Sequence, residues 1–457
     1  RAALEAVREK LVADKPSYKY FTHLVAALAV SKVIVRELKD PFHWTTVFAV
    51  YGETNRLKTK QEHPNGEDFL ITKIAQLTWL FEGISPDQGS WDIHIVDDGC
   101  PDGSGAACKK VAEERGGGAA VTVAYLQDAI DQKLPVASGI ATTKDSRKGG
   151  AIHYGLWDAA QKKHAGKVHS ICYTDADLST HMGQSGLLLD IIVNKGKVGA
   201  VGSRRAREAV MVKSGGRNTR GKLHAYLWKQ MMPEICYVVD TQTAFKAFRA
   251  DMVEKLTDDL MERTMSFDLE LLLKAQLNAS EGEALGQAGI CWKDSEAEST
   301  SGDSGGYVTL LQQMAAIYRH YLPKNDWQES FACFLDSLTG AGFDTLLLNT
   351  PKAIESRDAA QYKSPDTVSV SELQQAIMEG PGGGAGGCAD PMAVDACGEW
   401  LAKCKGEAGT PAGVIEKVQE LAVDDLDLTI PPYELQVRCA ADLLIKEHST
   451  RAALEAV

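Results

Sequence analysis

Residues 168–177 read Val-His-Ser-Ile-Cys-Tyr-Thr-Asp-Ala-Asp, a short and largely apolar run that ends on two acids. Its length suits a strand buried in a sheet better than a helix. Side chains alternate along an extended chain, so Asp175 and Asp177 point the same way. Two hard oxygen ligands can then meet one divalent cation that also holds a diphosphate. The ordinary alternative is a solvated strand end with acids there by chance.

Outward from this run the pattern repeats. Residues 148–163 read as a helix before it, and a helix at 185–193 and a short strand at 198–201 follow. Nearer the start come the β-branched run Thr45-Thr46-Val47-Phe48-Ala49-Val50, an amphipathic helix over 68–81 and strands at 93–96 and 121–126. Strands alternating with helices at this spacing predict the α/β class, an open and mostly parallel sheet flanked by helices. Such sheets bind ligands at the carboxyl ends of their strands. Residues 1–40 carry Leu4, Val7, Leu11, Leu24 and Leu28 at helical spacings and close on Pro41; beyond Pro323 helical segments dominate. The Gly-rich stretch 380–387 reads as a flexible linker or long loop. The expected organisation is an N-terminal helical extension (1–42), a catalytic domain (43–322) and a C-terminal helical region (323–457).

Lys plus Arg number 49 and Asp plus Glu 62 in 457 residues, a net charge of −13, with 44% hydrophobic and 24% charged residues. This acidity argues against coating nucleic acid or an anionic membrane, both of which need a basic face. Ten cysteines without a Cys-x-x-Cys pair exclude a zinc ribbon and a thioredoxin-type motif and suit reduced thiols in a cytoplasmic protein. The apolar stretch 24–35 is interrupted by Ser31 and Lys32 and is too short to cross ~30 Å of hydrocarbon, so no transmembrane segment is expected.

A second acidic strand end, Asp97-Asp98-Gly99-Cys100-Pro101, sets carboxylates on a tight turn at the sheet rim, although an Asp-rich turn alone also has this form. With it, Lys148-Gly149-Gly150-Ala151, Asp175-Ala176-Asp177, Gly202-Ser203-Arg204, Asp240-Thr241-Gln242-Thr243-Ala244-Phe245-Lys246 and Phe267-Asp268-Leu269-Glu270 follow the order and spacing of family-2 glycosyltransferases. Over residues 44–320 the chain most resembles the dolichyl-phosphate glucosyl- and mannosyltransferase branch. Val50-Tyr51-Gly52-Glu53-Thr54 is similar to that family's Tyr-Asn-Glu-Glu, with Gly for Asn and Thr for the second Glu.

The resemblance implies a Rossmann-like nucleotide-diphospho-sugar transferase (GT-A) sheet. It also implies a metal-dependent, inverting transfer of a hexose from a nucleotide-diphosphate sugar, UDP-glucose ahead of GDP-mannose, to a soluble or lipid-phosphate acceptor. On that likeness Tyr51, Glu53, Asp97 and Asp98 line the nucleoside pocket. Lys148 brings positive charge to the base or diphosphate, and Arg204, Asp240, Gln242 and Lys246 face sugar and phosphates, with Asp240 and Gln242 expected on a strand. Asp175 and Asp177 hold Mg²⁺ or Mn²⁺. Catalysis falls to Asp177 and to Asp268, the acidic residue beside the acceptor, with Glu270 as runner-up. The basic segment 204–222 is suited to close over a diphosphate. Trp292-Lys293-Asp294-Ser295-Glu296 resembles the family's Trp-x-Glu block, but the Gly-Ser-Lys that usually follows is replaced by Ala297-Glu298-Ser299. Two other readings stand beside this one: a degenerate domain kept as a binding or structural module, and a sugar nucleotidyltransferase. The latter wants a Gly-rich basic loop after the first strand, which residues 51–58 lack.

Histidines 43, 94, 153, 164, 169, 181 and 224 show no metal-ligand spacing and read as surface or core residues, with His181, just past the acidic motif, the one exception worth testing as a ligand. The first seven residues, Arg-Ala-Ala-Leu-Glu-Ala-Val, recur as 451–457, an offset of 450. Ser449-Thr450 is expected to cap a helix starting at Arg451. The repeat suggests one unit of a tandem array beside neighbouring copies, or a piece of a longer polypeptide, with an added sequence as the alternative.

Overall fold

The computed structural model describes residues 1–212, 217–279, 282–295, 304–379 and 431–455. Its strands are β1 (Phe42–Val50), β2 (Gly89–Asp97), β3 (Val121–Tyr125), β4 (Val168–Thr174), β5 (Gly199–Ser203), β6 (Val210–Val212), β7 (Phe245–Arg249), β8 (Leu285–Gly289) and β9 (Cys291–Lys293). Among the described residues they form a 7-stranded sheet, in the order β3-β2-β1-β4-β7-β5-β8, and a separate β6-β9 pair. Only β7 runs antiparallel within the larger sheet; the other pairings are parallel. The chain is α/β with a mostly parallel sheet, as the alternation of strands and helices predicts.

The residues of β1 explain how the sheet is sandwiched. Phe42, Trp44, Phe48 and Val50 join a core built with the helices Tyr20–Glu37 and Phe69–Leu80, while Val47 joins the core of the helix Gly149–Gln161 on the other face. That is the period-two alternation of a strand covered on both sides. From β1 the order proceeds to β2 and β3 in one direction and to β4 in the other. The carboxyl ends of β1 and β4 therefore flank a topological switch point, the usual ligand crevice of such sheets. Register brings the motifs to this rim. Val50 pairs with Asp97, and Thr174 pairs with Phe245 at the start of the reversed strand β7.

The segments outside 43–322 are built into the same core. Leu24, Ala27, Leu28, Ile34 and Val35 of the Tyr20–Glu37 helix share one hydrophobic cluster with β1 and with Val437, Ala440, Ala441 and Leu444 of the C-terminal helix Pro431–Glu455. The Ser185–Leu189 helix crosses Tyr20–Glu37 so closely that a Cβ on Gly186 would lie 2.2 Å from the Ser31 carbonyl oxygen. Lys32, with its side chain fully buried, reaches Asp442 Oδ1 at 2.8 Å and Glu82 Oε2 at 2.9 Å, while the Trp79 indole donates to Asp442 Oδ2. His181 sits 3.3 Å from Glu434 and accepts the Gly183 amide on Nδ1, so it ties this helix to the loop after the acidic motif.

Three local expectations are corrected. The helix Pro431–Glu455 runs unbroken through residues 449 and 450, so no helix begins at Arg451; after Pro431-Pro432 no Gly or Pro interrupts it. The helix expected at 185–193 is a short helix, Ser185–Leu189, continued by a π turn, Asp190–Asn194. Asp240 and Gln242 lie in a turn before β7 rather than on a strand, because the Asp240 carboxylate accepts the Gln242 amide at 3.2 Å and so diverts the backbone. The Gly-rich stretch 380–387 lies outside the described residues.

The described cysteines are free thiols. Among the described residues no single helix is long and apolar enough to cross a membrane. The helices Asp326–Ser337 and Gly340–Leu348, bent by 114°, pass that test only together, and Phe331, Leu335, Phe343 and Leu346 are buried in the core. Asp442→Ala leaves the buried Lys32 ammonium with Glu82 alone and the Trp79 indole without its acceptor. Since Asp442 and Glu82 are partly exposed, the expected loss is about 1–2 kcal/mol, read from chemical denaturation of the full chain.

Candidate functional site

The loop leaving β4 carries the acidic pair. Asp177 Oδ1 accepts the Ser179 hydroxyl at 2.6 Å and the Ser179 amide at 3.1 Å, which fixes one of its oxygens. Beneath it the fully buried Lys73 donates to the Asp177 carbonyl at 2.7 Å. Lys73 comes from an otherwise apolar stretch of the Phe69–Leu80 helix, a signal that pattern reading passed over. Burial raises the Asp177 carboxyl above its usual range, and the like charge of Asp175 raises it further. Burial also acts upward on Asp175, but Lys148 and then Lys73 and Arg204 outweigh it and hold that carboxyl low. Glu67, not anticipated from sequence, lines the same floor: it accepts the Leu178 amide at 3.2 Å and the Ser295 hydroxyl at 2.8 Å.

Lys148 reaches this pair from the start of the Gly149–Gln161 helix, where its ammonium contacts Asp175 Oδ1. Its backbone is held at φ 72°, a left-handed conformation that costs a non-glycine residue roughly 1–3 kcal/mol. Two contacts enforce it. Asp98 Oδ2 accepts the Lys148 amide at 2.8 Å, and the Arg263 carbonyl accepts the amides of Arg147 and Gly150 at 3.2 and 3.0 Å. Gly149 is required there, since a Cβ would meet the Arg263 carbonyl at 2.7 Å.

Two ion pairs border the opposite side. Arg204, just beyond β5, donates to Asp240 through Nε at 2.8 Å, Nη2 at 2.9 Å and its own amide at 2.9 Å, with its guanidinium 5.2 Å over the Trp292 ring. Burial works against the Asp240 charge, yet Arg204 and the Thr243 hydroxyl hold its carboxyl far below the usual range. On β7, Lys246 is fully buried, 2.5 Å from Asp268 Oδ1, and the Tyr173 hydroxyl of β4 donates to that same oxygen. Asp268 Oδ2 has no hydrogen-bond partner among the described residues. Glu270, the runner-up, is committed elsewhere: it accepts the Met261 and Glu262 amides at 2.8 and 2.9 Å and the Tyr321 hydroxyl at 2.5 Å. Gln242 is half-buried with its side-chain amide free of protein bonds among the described residues.

On the β1 and β2 side, Tyr51 is 61% exposed, open to stack on a ligand ring. Glu53 lies 3.4 Å from Arg56 and donates its amide to Ser104 Oγ at 2.9 Å. Asp97 is spent on the fold: Oδ1 accepts the Cys100 amide and Oδ2 the Gly105 amide, each at 2.7 Å, anchoring the first turn of the Ser104–Glu114 helix. It does not face the pocket as the nucleoside reading expects; Asp98 positions the Lys148 backbone instead. Of the basic segment, Arg207 pairs with Glu9 at 2.7 Å and Lys222 donates to the Glu355 carbonyl at 2.6 Å, so both are turned away from the rim. Residues 213–216 and 296–303 lie outside the described residues.

The floor of the crevice is short of positive charge. Glu53, Glu67, Asp175 and Asp177 face Arg56, Lys73 and Lys148, while Arg204 is committed to Asp240. Carboxylates on a polar strand end suit Mg²⁺ or Mn²⁺, whose preferred donors are oxygens, so Asp175 and Asp177 fit a divalent ion. No protein family matches this chain, and a search of curated proteins finds no match either.

Glu53 reports on the charge deficit. Burial is the main force raising its carboxyl from the ordinary 4.5 to about 7, and Asp177 adds to the shift against Arg56. A carboxyl raised in the folded state contributes stability below the unfolded value, and that contribution is lost as pH rises through about 7. Glu53→Gln keeps the shape without the charge. It is therefore expected to be more stable than the parent at pH 8 in metal-free buffer, with the advantage fading towards pH 5, as read from denaturation midpoints at each pH.

Proposed function

We propose that the chain is a divalent-cation-dependent, inverting glycosyltransferase that takes a hexose from a nucleotide-diphosphate sugar. The observation that carries this reading is the convergence, at the β1/β4 switch point, of Asp175 and Asp177 with Lys148, Arg204 and the Lys246–Asp268 pair. The donor's base lies towards Tyr51 and Glu53, and its diphosphate between Lys148 and Arg204. When bound, Mg²⁺ or Mn²⁺ held by Asp175 and Asp177 supplies Lewis acidity and neutralises the departing diphosphate.

The chain's own groups do the rest. Arg204 is locked by Asp240 before the donor arrives, so its positive charge needs little reorganisation as negative charge builds on the leaving group. Lys246 and the Tyr173 hydroxyl clamp one oxygen of Asp268 and aim the other at the acceptor. The anomeric carbon–oxygen bond to the diphosphate breaks while the acceptor oxygen bonds to that carbon from the opposite face. A hydroxyl acceptor's proton passes to Asp268 Oδ2. UDP-glucose is the favoured donor and GDP-mannose the second. With a phosphate acceptor no base is needed, and Asp268 only orders the site.

Thermal unfolding of the full chain with UDP-glucose and GDP-mannose, with and without Mn²⁺, tests the reading. One donor at ~100 times its Kd is expected to add about 2.7 kcal/mol only when the cation is present. No shift with either donor overturns the proposal. Asp175→Ala is expected to abolish the cation-dependent shift. Asp268→Asn is expected to keep the shift but to lower transfer to a hydroxyl by roughly 10²–10⁴-fold, measured by product formation.

A further inference from the structure

The opposite, amino-terminal rim of the sheet holds a cluster that the sequence does not announce. His43 of β1 pairs in register with His169 of β4, and His164 lies on the loop that enters β4. The His43 and His164 ring centroids are 3.5 Å apart, His164 and His169 4.6 Å, and His43 and His169 5.1 Å. One nitrogen from each ring lies within 4.8 Å of the others. The outer nitrogens are already anchored: His43 Nδ1 to Ser90 Oγ at 2.8 Å and His169 Nε2 to Thr45 Oγ1 at 2.9 Å. Of the inner ones, His169 Nδ1 and His164 Nε2 are buried without a hydrogen-bond partner, and His43 Nε2 is buried with a carboxylate at ion-pair distance. Asp92 of β2 brings a carboxylate oxygen 3.3 Å from His43 Nε2.

Buried, unpartnered imidazole nitrogens facing one another are costly in a fold without a ligand. Metal-binding histidines carry the signature seen at His43 and His169, one nitrogen tethered to a hydroxyl or carboxylate and the other left for the metal. We propose that His43, His164 and His169, with Asp92 as fourth ligand, form a closed Zn²⁺ site that clamps the amino ends of β1, β2 and β4. Three nitrogens and one oxygen suit zinc rather than Mg²⁺ or Mn²⁺. Tetrahedral bonds of ~2.1 Å put the donor atoms roughly 3.4 Å apart, so binding draws the cluster inward. His164, half-buried on its loop, leaves its stack on His43. The site is separate from the acidic pair, since six residues of extended β4 span about 20 Å.

The test uses the full chain without a polyhistidine tag, stripped with chelator and titrated with Zn²⁺ in excess Mg²⁺. One equivalent is expected to bind with a Kd below micromolar, and Co²⁺ in its place is expected to show the visible absorption of a tetrahedral centre. His164→Ala, at the least buried ligand, is expected to keep the metal-free unfolding temperature. It should weaken Zn²⁺ by more than the ~10–100-fold that loss of a supporting hydrogen bond costs. Asp175→Ala is expected to leave zinc binding unchanged. Absence of stoichiometric binding, equal affinity in His164→Ala, or loss of zinc in Asp175→Ala overturns the proposal.

Discussion

Four carboxylates crowd one rim of a sheet from which most water is excluded, and much of the surrounding architecture exists to tolerate them. Glu53, Glu67, Asp175 and Asp177 arrive from three different parts of the chain; Asp177 raises the carboxyls of Glu53 and Glu67, and Asp175 raises that of Asp177. Lys73, on the Phe69–Leu80 helix, is buried under them and spends its ammonium on the Asp177 carbonyl. Lys148 is turned towards them by a backbone conformation that a non-glycine residue adopts only when its neighbours compel it. Burying charge in this way weakens a fold unless the compensation is placed within a few ångströms. The compensation here is incomplete, with Glu53, Glu67, Asp175 and Asp177 set against Arg56, Lys73 and Lys148.

The reversed strand β7 makes the rest of the rim possible. A parallel strand in that position would carry its following loop to the rim and leave its own first residues at the far end. Running antiparallel between β4 and β5, β7 instead brings the turn at 240–244 and the side chain of Lys246 directly beside the end of β4. Asp240 thereby meets Arg204 from the end of β5, and Lys246 meets Asp268 from the Phe267–Leu277 helix. Each cation is immobilised by an acid outside the central pair, so neither neutralises Asp175 or Asp177 outright. The pairs fix two positive charges at the rim beside the end of β4.

Strand ends at the rim were legible because apolar runs bounded by acids and glycines carry a strong local signal: β1, β2 and β4 end within one residue of the expected positions, whereas β1 and β2 begin three and four residues earlier than expected, at Phe42 and Gly89. What escaped depended on partners distant in sequence. Asp97 and Asp98 are adjacent and chemically identical, yet one anchors a helix and the other shapes the Lys148 turn, because Asp97 meets the nearby amides of Cys100 and Gly105 and Asp98 an amide 50 residues on. Asp240 looked like a strand residue until its side chain captured its own backbone. The flanking segments read as extensions because their helical periodicity says nothing of what they pack against; Lys32 and Asp442, 410 residues apart, share an ion pair. The histidines carried no recognisable spacing because the spacing lies across strands, not along one.

Strand β4 therefore links two chemically distinct ends. Its carboxyl end presents carboxylate oxygens in a net-negative, partly exposed crevice, and its amino end presents imidazole nitrogens beside Asp92. Hard and borderline cations partition between such donor sets by ligand type, so under the two proposals neither end would compete strongly for the other's ion. The separation of about 20 Å exceeds the ~8 Å screening length of physiological salt, so two bound cations would scarcely repel one another through solvent. A closed site at the amino end would stiffen the strand whose other end must hold two like charges side by side. Rigidity at one rim and electrostatic tension at the other are then carried by the same seven residues, Val168–Thr174.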